Sequence, residues 1–420
     1  MSSPDTQRYF LPLLEKHIAL PPDGHVLEMG YYDPLVALWA ARRARQVLAL
    51  RPAIDLVADL DRRAKAAGLD TLDTLEARLA LHPEPAEMGT FEVALLLAPY
   101  FLGNAPVGDA MRACAAALRP DGAMYVQAHR RHGGKTYLGY AEALFASVEL
   151  LGMGGGQRRL YRATGRRAEA AEAVALAVDE KAEQPVTEAV LRGVTLRLRL
   201  AAGVFAARQI DPGSRLLVET IEIAPGARLL DLGCGAGTIG LALAAADPHA
   251  QVVLVDTSRP AVELAQENAA RNGLRNVEVR VSDGYGAVEA EHFDAIVANL
   301  PAHRGHRADR SVAERFIAGA PAHLRAGGAA WLVANRALPY EPVAARAFRQ
   351  VRLAADDGRY KVLHCREPRA PVSTIGGGEQ RAPDRGRNRR LGGARQWSAT
   401  LEVERPGTGG DGGDRASPAL

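Results

Sequence analysis

Short, unbroken apolar runs separated by longer amphipathic stretches recur along most of this chain. In the second half, RLLDLG reads as a buried strand, TIGLALAAA as an apolar helix and QVVLVD as the next strand. PAVELAQENAARNG then predicts a helix, with Asn272 and Gly273 marking its end. VEVRVSD and FDAIVANLP read as further strands, and GGAAWLVAN as another beyond one more helix. Strands of this kind alternating with helices predict a doubly wound, mainly parallel α/β sheet.

The first half runs through the same events in the same order. HVLEMG matches RLLDLG, QVLAL matches QVVLVD, and FEVALLLAP matches FDAIVANLP with identical spacing. LRPDGAMYVQA matches LRAGGAAWLVA, and GQRRLYRA resembles DGRYKVLH. Five matches in one order indicate an internal duplication rather than chance likeness between two sheets. The expected organisation is a first domain over residues 1–168, an Ala/Glu-rich helical connector over 169–188 and a second domain over 189–370. VTLRLRL, alternating apolar and polar, predicts a half-exposed strand after the connector. Residues 371–420 are rich in Gly, Pro and Arg without apolar periodicity. Such a segment cannot bury enough surface to offset chain entropy and is expected to be disordered.

Composition narrows the class without naming it. With 420 residues, 47% hydrophobic and 24% charged, the chain suits two soluble domains. No apolar run is long enough to span a membrane, and the polar start lacks the order of a secretion signal. Cys114, Cys234 and Cys365 are too far apart in sequence for a metal cluster or a disulfide framework, so a reducing cytoplasm is expected. The net charge of +3 announces no nucleic-acid partner by itself, although nearly every cation is Arg.

Candidate chemistry gathers at the strand ends of the second half. Asp231, Gly233, Gly235 and Gly237 form D-x-G-x-G-x-G between a strand and a helix, where glycines let the backbone turn tightly and approach a ligand. Residues 235–240 also satisfy G-x-G-x-x-G, a weak dinucleotide pattern. A strand-borne acid in front of three glycines suits a cationic methionine better than a pyrophosphate. Asp256 closes the second strand, where a carboxylate can accept from both hydroxyls of a ribose. Asp283 falls where it can meet an adenine amine or cap a turn. Asn299 ends the fourth strand in VANLPAH. Its oxygen and a neighbouring backbone carbonyl, that of Leu300 directed by Pro301, can accept both hydrogens of an exocyclic amine and aim its lone pair at a methyl donor.

With those residues in view, the second half resembles the class I S-adenosylmethionine-dependent methyltransferases. Within them it resembles the ribosomal-RNA guanine-N2 type, known in a C form for the small ribosomal subunit and a G form for the large one. The resemblance runs from about residue 190 to 368 through GVFAARQIDPGSRLLVE, DLGCGAG, VDTSRPAVELAQENAARNG, FDAIVANLPAH, VANRALPYE and GRYKVL. It implies two tandem Rossmann-like methyltransferase domains, the first degenerate. It assigns Asp231, Gly233, Gly235, Gly237, Asp256 and Asp283 to S-adenosyl-L-methionine, and Asn299, Leu300 and Pro301 to catalysis. Phe205 and Asp211 stand at signature positions near the pocket and are expected to meet substrate.

One departure bears on base choice. The family pattern is Asn-Pro-Pro-aromatic, and here Leu300 and Ala302 replace the first proline and the ring. A stacking ring contributes roughly 1–3 kcal/mol to single-strand binding, so either His303 or another ring supplies it, or the base choice differs, or activity is weak. Methylation of adenine N6 or of a protein glutamine, and a non-catalytic RNA-binding or ribosome-assembly role, are the alternatives. An oxidoreductase is a more distant one. The first half lacks the glycine loop, reading Met29-Gly30-Tyr31-Tyr32-Asp33, and has Leu97-Ala98-Pro99 in place of Asn-Leu-Pro. It is expected to bind RNA through Arg-rich clusters and to support the fold. Ribosomal RNA or a ribosomal subunit is the expected partner, with no metal, no membrane and a monomeric state.

Overall fold

The computed structural model describes residues 10–31, 33–69, 74–98, 103–131, 133–167, 186–207, 209–301 and 310–369, with backbone alone at 303–304 and 307–308. Residues 169–185 of the expected connector, the Gly/Pro/Arg-rich tail, Tyr32, Pro99, Ala302 and the side chain of His303 lie outside the described residues. Two seven-stranded sheets carry the fold. The first contains β1 His25–Met29, β2 Gln46–Arg51, β3 Leu75–Leu79, β4 Phe91–Leu97, β5 Leu118–His129, β6 Phe145–Gly154 and β7 Arg158–Arg166, in the order β3-β2-β1-β4-β5-β7-β6. A hairpin follows, β8 Val186–Leu191 and β9 Val194–Arg199, opening within the stretch expected as connector.

The second sheet contains β10 Arg228–Leu232, β11 Gln251–Asp256, β12 Val277–Val281 and β13 Phe293–Asn299. After the two-residue strands β14 His303–Arg304 and β15 Arg307–Ala308 it continues with β16 Leu324–Asn335, β17 Phe348–Asp356 and β18 Tyr360–Pro368. Its order, β12-β11-β10-β13-β16-β18-β17, repeats the first element for element, with every strand parallel except β18, which runs antiparallel to both of its neighbours as β7 does in the first sheet.

The duplication extends to the irregularities. A bulge between Phe91 and Val93 recurs between Phe293 and Ala295, and one between Leu150 and Gly152 recurs between Leu353 and Ala355. The 13-residue helices after the second strands, Ile54–Ala66 and Arg259–Arg271, end alike. Each passes through a left-handed glycine, Gly68 or Gly273, and the next amide bonds back to Ala64 or Ala269.

The strands read as continuous apolar runs because both faces of each sheet are covered. In the second domain Leu229, Leu254, Val297 and Trp331 face one core, while Leu230, Val253, Ile296 and Leu332 face the other. The hairpin is fastened by two carboxamides. Asn268 on helix Arg259–Arg271 and Asn272 at its C-cap each accept from and donate to the backbone of β9, standing in for a neighbouring strand.

The domains meet through equivalent residues. Ala53 bridges Ser258, the amide of Ile54 donates to the carbonyl of Thr257 at 3.0 Å, and that of Arg259 donates to Pro52 at 2.8 Å. Counted from the ends of β2 and β11, these two bonds are mates of one another about a local two-fold axis.

Candidate active site

The carboxyl ends of β10, β11 and β13 bring the glycine loop, the carboxylates and Asn299 to one edge of the second sheet. Gly233, Gly235 and Gly237 take φ of 76°, 55° and 84°, left-handed values that cost any residue with a Cβ. The loop is tied down by the amides of Gly233 and Cys234, both donating to the carbonyl of Val255, and by Asn268, which donates to that of Ala236. Gly240 serves close approach instead: a Cβ there would stand 2.8 Å from Leu254 and 3.0 Å from the carboxylate of Asp231.

Asp231 is buried. One of its oxygens accepts from the amide of Gly240 at 2.8 Å, and the other, Oδ1, is buried with no hydrogen-bond partner. Burial, with a smaller push from the charge of Asp256, raises its pKa to about 7. An orphaned carboxylate oxygen of this kind suits a cationic ligand group. Asp256 accepts from the amides of Gly235 and Ser258, both at 2.9 Å, and burial holds its pKa above the usual range. Asp283 is exposed and paired with Arg315 at 3.1 Å, while Ser282 beside it is buried and holds the turn through Gly284 and Ala287. Phe316 lines the space between Gly233 and Gly284: a Cβ on either would touch its ring, at 3.3 and 3.9 Å.

Asn299 is held by its amide nitrogen. Nδ2 donates to Asp211 Oδ2 at 2.8 Å and to Ser214 Oγ at 3.0 Å. A carboxylate only accepts, so it fixes which end of the carboxamide faces it. Both amide hydrogens are therefore committed, and Oδ1 remains as the acceptor. Asp211 also caps helix Pro212–Thr220 by accepting from Ser214 N at 2.8 Å. The Tyr360 hydroxyl lies against the same carboxylate; burial and that negative charge raise its pKa. Leu300 is buried and its amide donates to Val333, while the carbonyl of Pro301 accepts from the hydroxyl of buried Tyr340 at 3.3 Å. Phe205 is 62% exposed beside Gly235.

The structure thus groups Asp231, Gly233, Gly235, Gly237, Asp256, Asn299, Leu300 and Pro301, with Phe205 at the rim and Asp283 on the outer turn. It ties Asp211 to Asn299. Ser214, Asn268, Phe316 and Tyr340 were invisible to motif reading, because each acts through a partner distant in sequence. Among the described residues no three His, Cys, Asp or Glu converge as metal ligands.

The first domain's counterpart is closed by more than the loss of its glycines. Tyr31 packs into the core. The plug is Arg51, which stands where the second copy has Asp256 and turns onto Glu28, the counterpart of Asp231. The pair is 2.5 Å apart with both side chains 1% exposed, and a Cβ on Gly30 would lie 2.6 Å from each. A guanidinium there removes both the ribose acceptor and the ligand's space.

Residues 195–364 match the family model of the methyltransferase small domain. Over 167 residues the chain is 37% identical to ribosomal RNA small subunit methyltransferase C of Hamiltonella defensa, covering 40% of this chain and 49% of that protein. The protein of the same name from Salmonella choleraesuis is 38% identical over 167 residues, with 40% and 48% covered. The chain thus spans about half the length of the curated relatives it matches. A solved structure, the T. thermophilus 16S rRNA N2 methyltransferase RsmC in complex with AdoMet and guanosine, matches across both domains. Its TM-score is 0.67 at 28% identity, covering 85% of this chain and 91% of that one. By its fold and these matches, the chain is built of two tandem Rossmann-like domains of the class I methyltransferase type and is similar to the ribosomal RNA small subunit methyltransferase C proteins.

Proposed function

We propose that this chain transfers a methyl group from S-adenosylmethionine to N2 of a guanine in small-subunit ribosomal RNA. The observation that carries the reading is the locked carboxamide of Asn299, whose nitrogen is committed to Asp211 and Ser214. Its oxygen is thereby left to accept from an exocyclic amine. The carbonyl of Leu300 or Pro301 is the second acceptor. Two acceptors on one amine hold its lone pair along a single line, and an in-line displacement is accelerated chiefly by such positioning.

The residues present fit the cofactor. The glycine loop keeps backbone rather than side chains along its path. Asp231 Oδ1 offers a buried partner to a cationic methionine group, Asp256 retains acceptor capacity for ribose hydroxyls, and Phe316 and Ser282 wall the adenine side. When bound, S-adenosylmethionine supplies an electrophilic methyl on a sulfonium leaving group. No strong base is required, because the amine sheds its proton to solvent during or after attack. Phe205, exposed at the rim, is placed to meet the base or the cofactor.

In this reading residues 189–370 are catalytic, residues 1–168 bind RNA and support the fold, and the location is cytoplasmic. The test is nucleoside mass spectrometry of 16S rRNA from cells with and without the gene, paired with methylation of that RNA by purified protein. N2-methylguanosine should depend on the gene. An unchanged content, or label on adenine N6 instead, overturns the assignment.

A further inference from the structure

We propose that the carboxyl end of the first sheet, vacated by the cofactor, is an RNA-phosphate docking face built from Arg130, Arg131, Lys135, Arg158 and Arg159. This deepens the reading above and rests on it. The two copies share a scaffold here and differ in what it carries. In the first, the loop after β5 packs on the start of β7, with the amide of Arg130 donating to the carbonyl of Gln157. In the second, the amide of Arg336 donates to the carbonyl of Arg359 in the same way. The strand registers agree: Ala128 pairs with Arg159 as Ala334 pairs with Lys361.

The charges do not agree. The second copy carries three cations in this ring, Arg336, Arg359 and Lys361, and three carboxylates, Glu341, Asp356 and Asp357. Lys361 is buried and bonded to Glu341 at 2.6 Å, and Arg336 is paired with Asp356 at 2.9 Å. The corresponding stretches of the first copy, residues 129–135 and 153–159, hold five cations and no carboxylate. Met153 and Gly154 stand where Asp356 and Asp357 would be, and the first turn of helix Gly134–Leu144 carries Lys135 and no acid. Among the described residues no carboxylate pairs with Arg130, Arg131, Lys135 or Arg159. A general Arg enrichment would load both copies alike; here the same stretches match three cations with three carboxylates in one copy and hold five cations with no carboxylate among them in the other.

The partner this fits is a phosphate backbone. Arg130, Arg131 and Lys135 are exposed, Arg158 and Arg159 open β7 in register with β5, and Met153, 72% exposed, offers an apolar contact beside them. Contacts of this type set affinity and orientation without reading sequence. Target choice is therefore left to the second domain.

The test uses the full chain with Arg130→Ala, Arg131→Ala and Lys135→Ala combined. The probe is a fluorescein-labelled RNA hairpin of arbitrary sequence, titrated by anisotropy at several salt concentrations. Affinity should fall at least tenfold at 0.1 M salt, and the slope of log K against log salt should flatten by about two to three, near 0.7–0.9 per lost contact. Unchanged S-adenosylmethionine affinity and melting temperature certify folding. The control Arg336→Ala/Arg359→Ala should change RNA affinity less than twofold. An unaltered salt slope in the triple variant overturns the proposal, as does an equal loss in the control. A parent that binds the hairpin but methylates no RNA would instead sink the assigned activity while leaving the docking face standing.

Discussion

The lock on Asn299 makes a quantitative prediction at Asp211, which never touches the substrate. In Asp211→Ala the carboxamide loses the acceptor that distinguishes its two ends, retaining only Ser214, whose hydroxyl can donate or accept. A hydrogen bond to a charged group contributes about 1.5–3 kcal/mol. If that energy goes into holding one carboxamide orientation, its loss should lower kcat about 10- to 150-fold. The same change removes an N-cap, costing about 0.5–2 kcal/mol of stability. Asp211→Asn separates the two effects. Asparagine caps as well as aspartate and can still accept from Asn299, but without charge, so melting should hold while kcat falls only about threefold to tenfold. The assay is steady-state methylation with the Kd of S-adenosylmethionine measured separately, expected within twofold of parent in both variants. A folded Asp211→Ala protein turning over at the parental rate refutes the orientation argument.

Three further outcomes are expected. Asn299→Ala should abolish turnover while leaving S-adenosylmethionine affinity within about twofold, since the side chain serves the amine; isothermal calorimetry beside a methylation assay checks both. Asp231 has a folded pKa raised by burial to about 7, above its ordinary value of 3.8, so its contribution to stability is fully present below that value and is lost as pH rises through about 7. The ligand-free protein should therefore melt lower at pH 8 than at pH 5.5, and S-adenosylmethionine should bind more tightly as Asp231 ionises. Asp231→Asn should flatten both profiles, and an unchanged pH profile in that variant would contradict the assignment. Arg51→Met should destabilise the first domain by about 3–5 kcal/mol, because burial already raises the pKa of Glu28 and the variant leaves it unpaired. Adding Glu28→Gln should restore most of the loss, read by thermal unfolding; a single variant as stable as the parent would rule out the pairing argument.

The architecture was legible because both sheets are buried on two faces, so their strands appear as uninterrupted apolar runs, and because the same runs occur twice in one order. The glycine loop was legible for a related reason: only glycine accepts three left-handed turns so close together. What the sequence hid were interactions whose partners fold together from afar. Asp211 in IDPGS was expected to meet substrate; its hydrogen bond to Asn299, 88 residues away, had no local signal. The lost glycine loop at residues 29–33 shows that the first pocket is gone but not which side chain fills it. Arg51 does that work from the end of the neighbouring strand, and only strand register reveals it as the counterpart of Asp256. Asn268 likewise read as one more polar residue on an amphipathic helix.

The bridge between Ala53 and Ser258 has a consequence for how such a chain could diverge at all. A segment that mates with its own equivalent already possesses a complementary surface, so doubling the gene supplied the seam ready-made. Because that seam is drawn in main-chain atoms, Pro52 could drift from Thr257, Ala53 from Ser258 and Ile54 from Arg259 without loosening it. The two halves were thereby freed to become unlike everywhere else, one filling its pocket with an ion pair while the other kept its glycine loop, and still remain clasped at the hand they first shared.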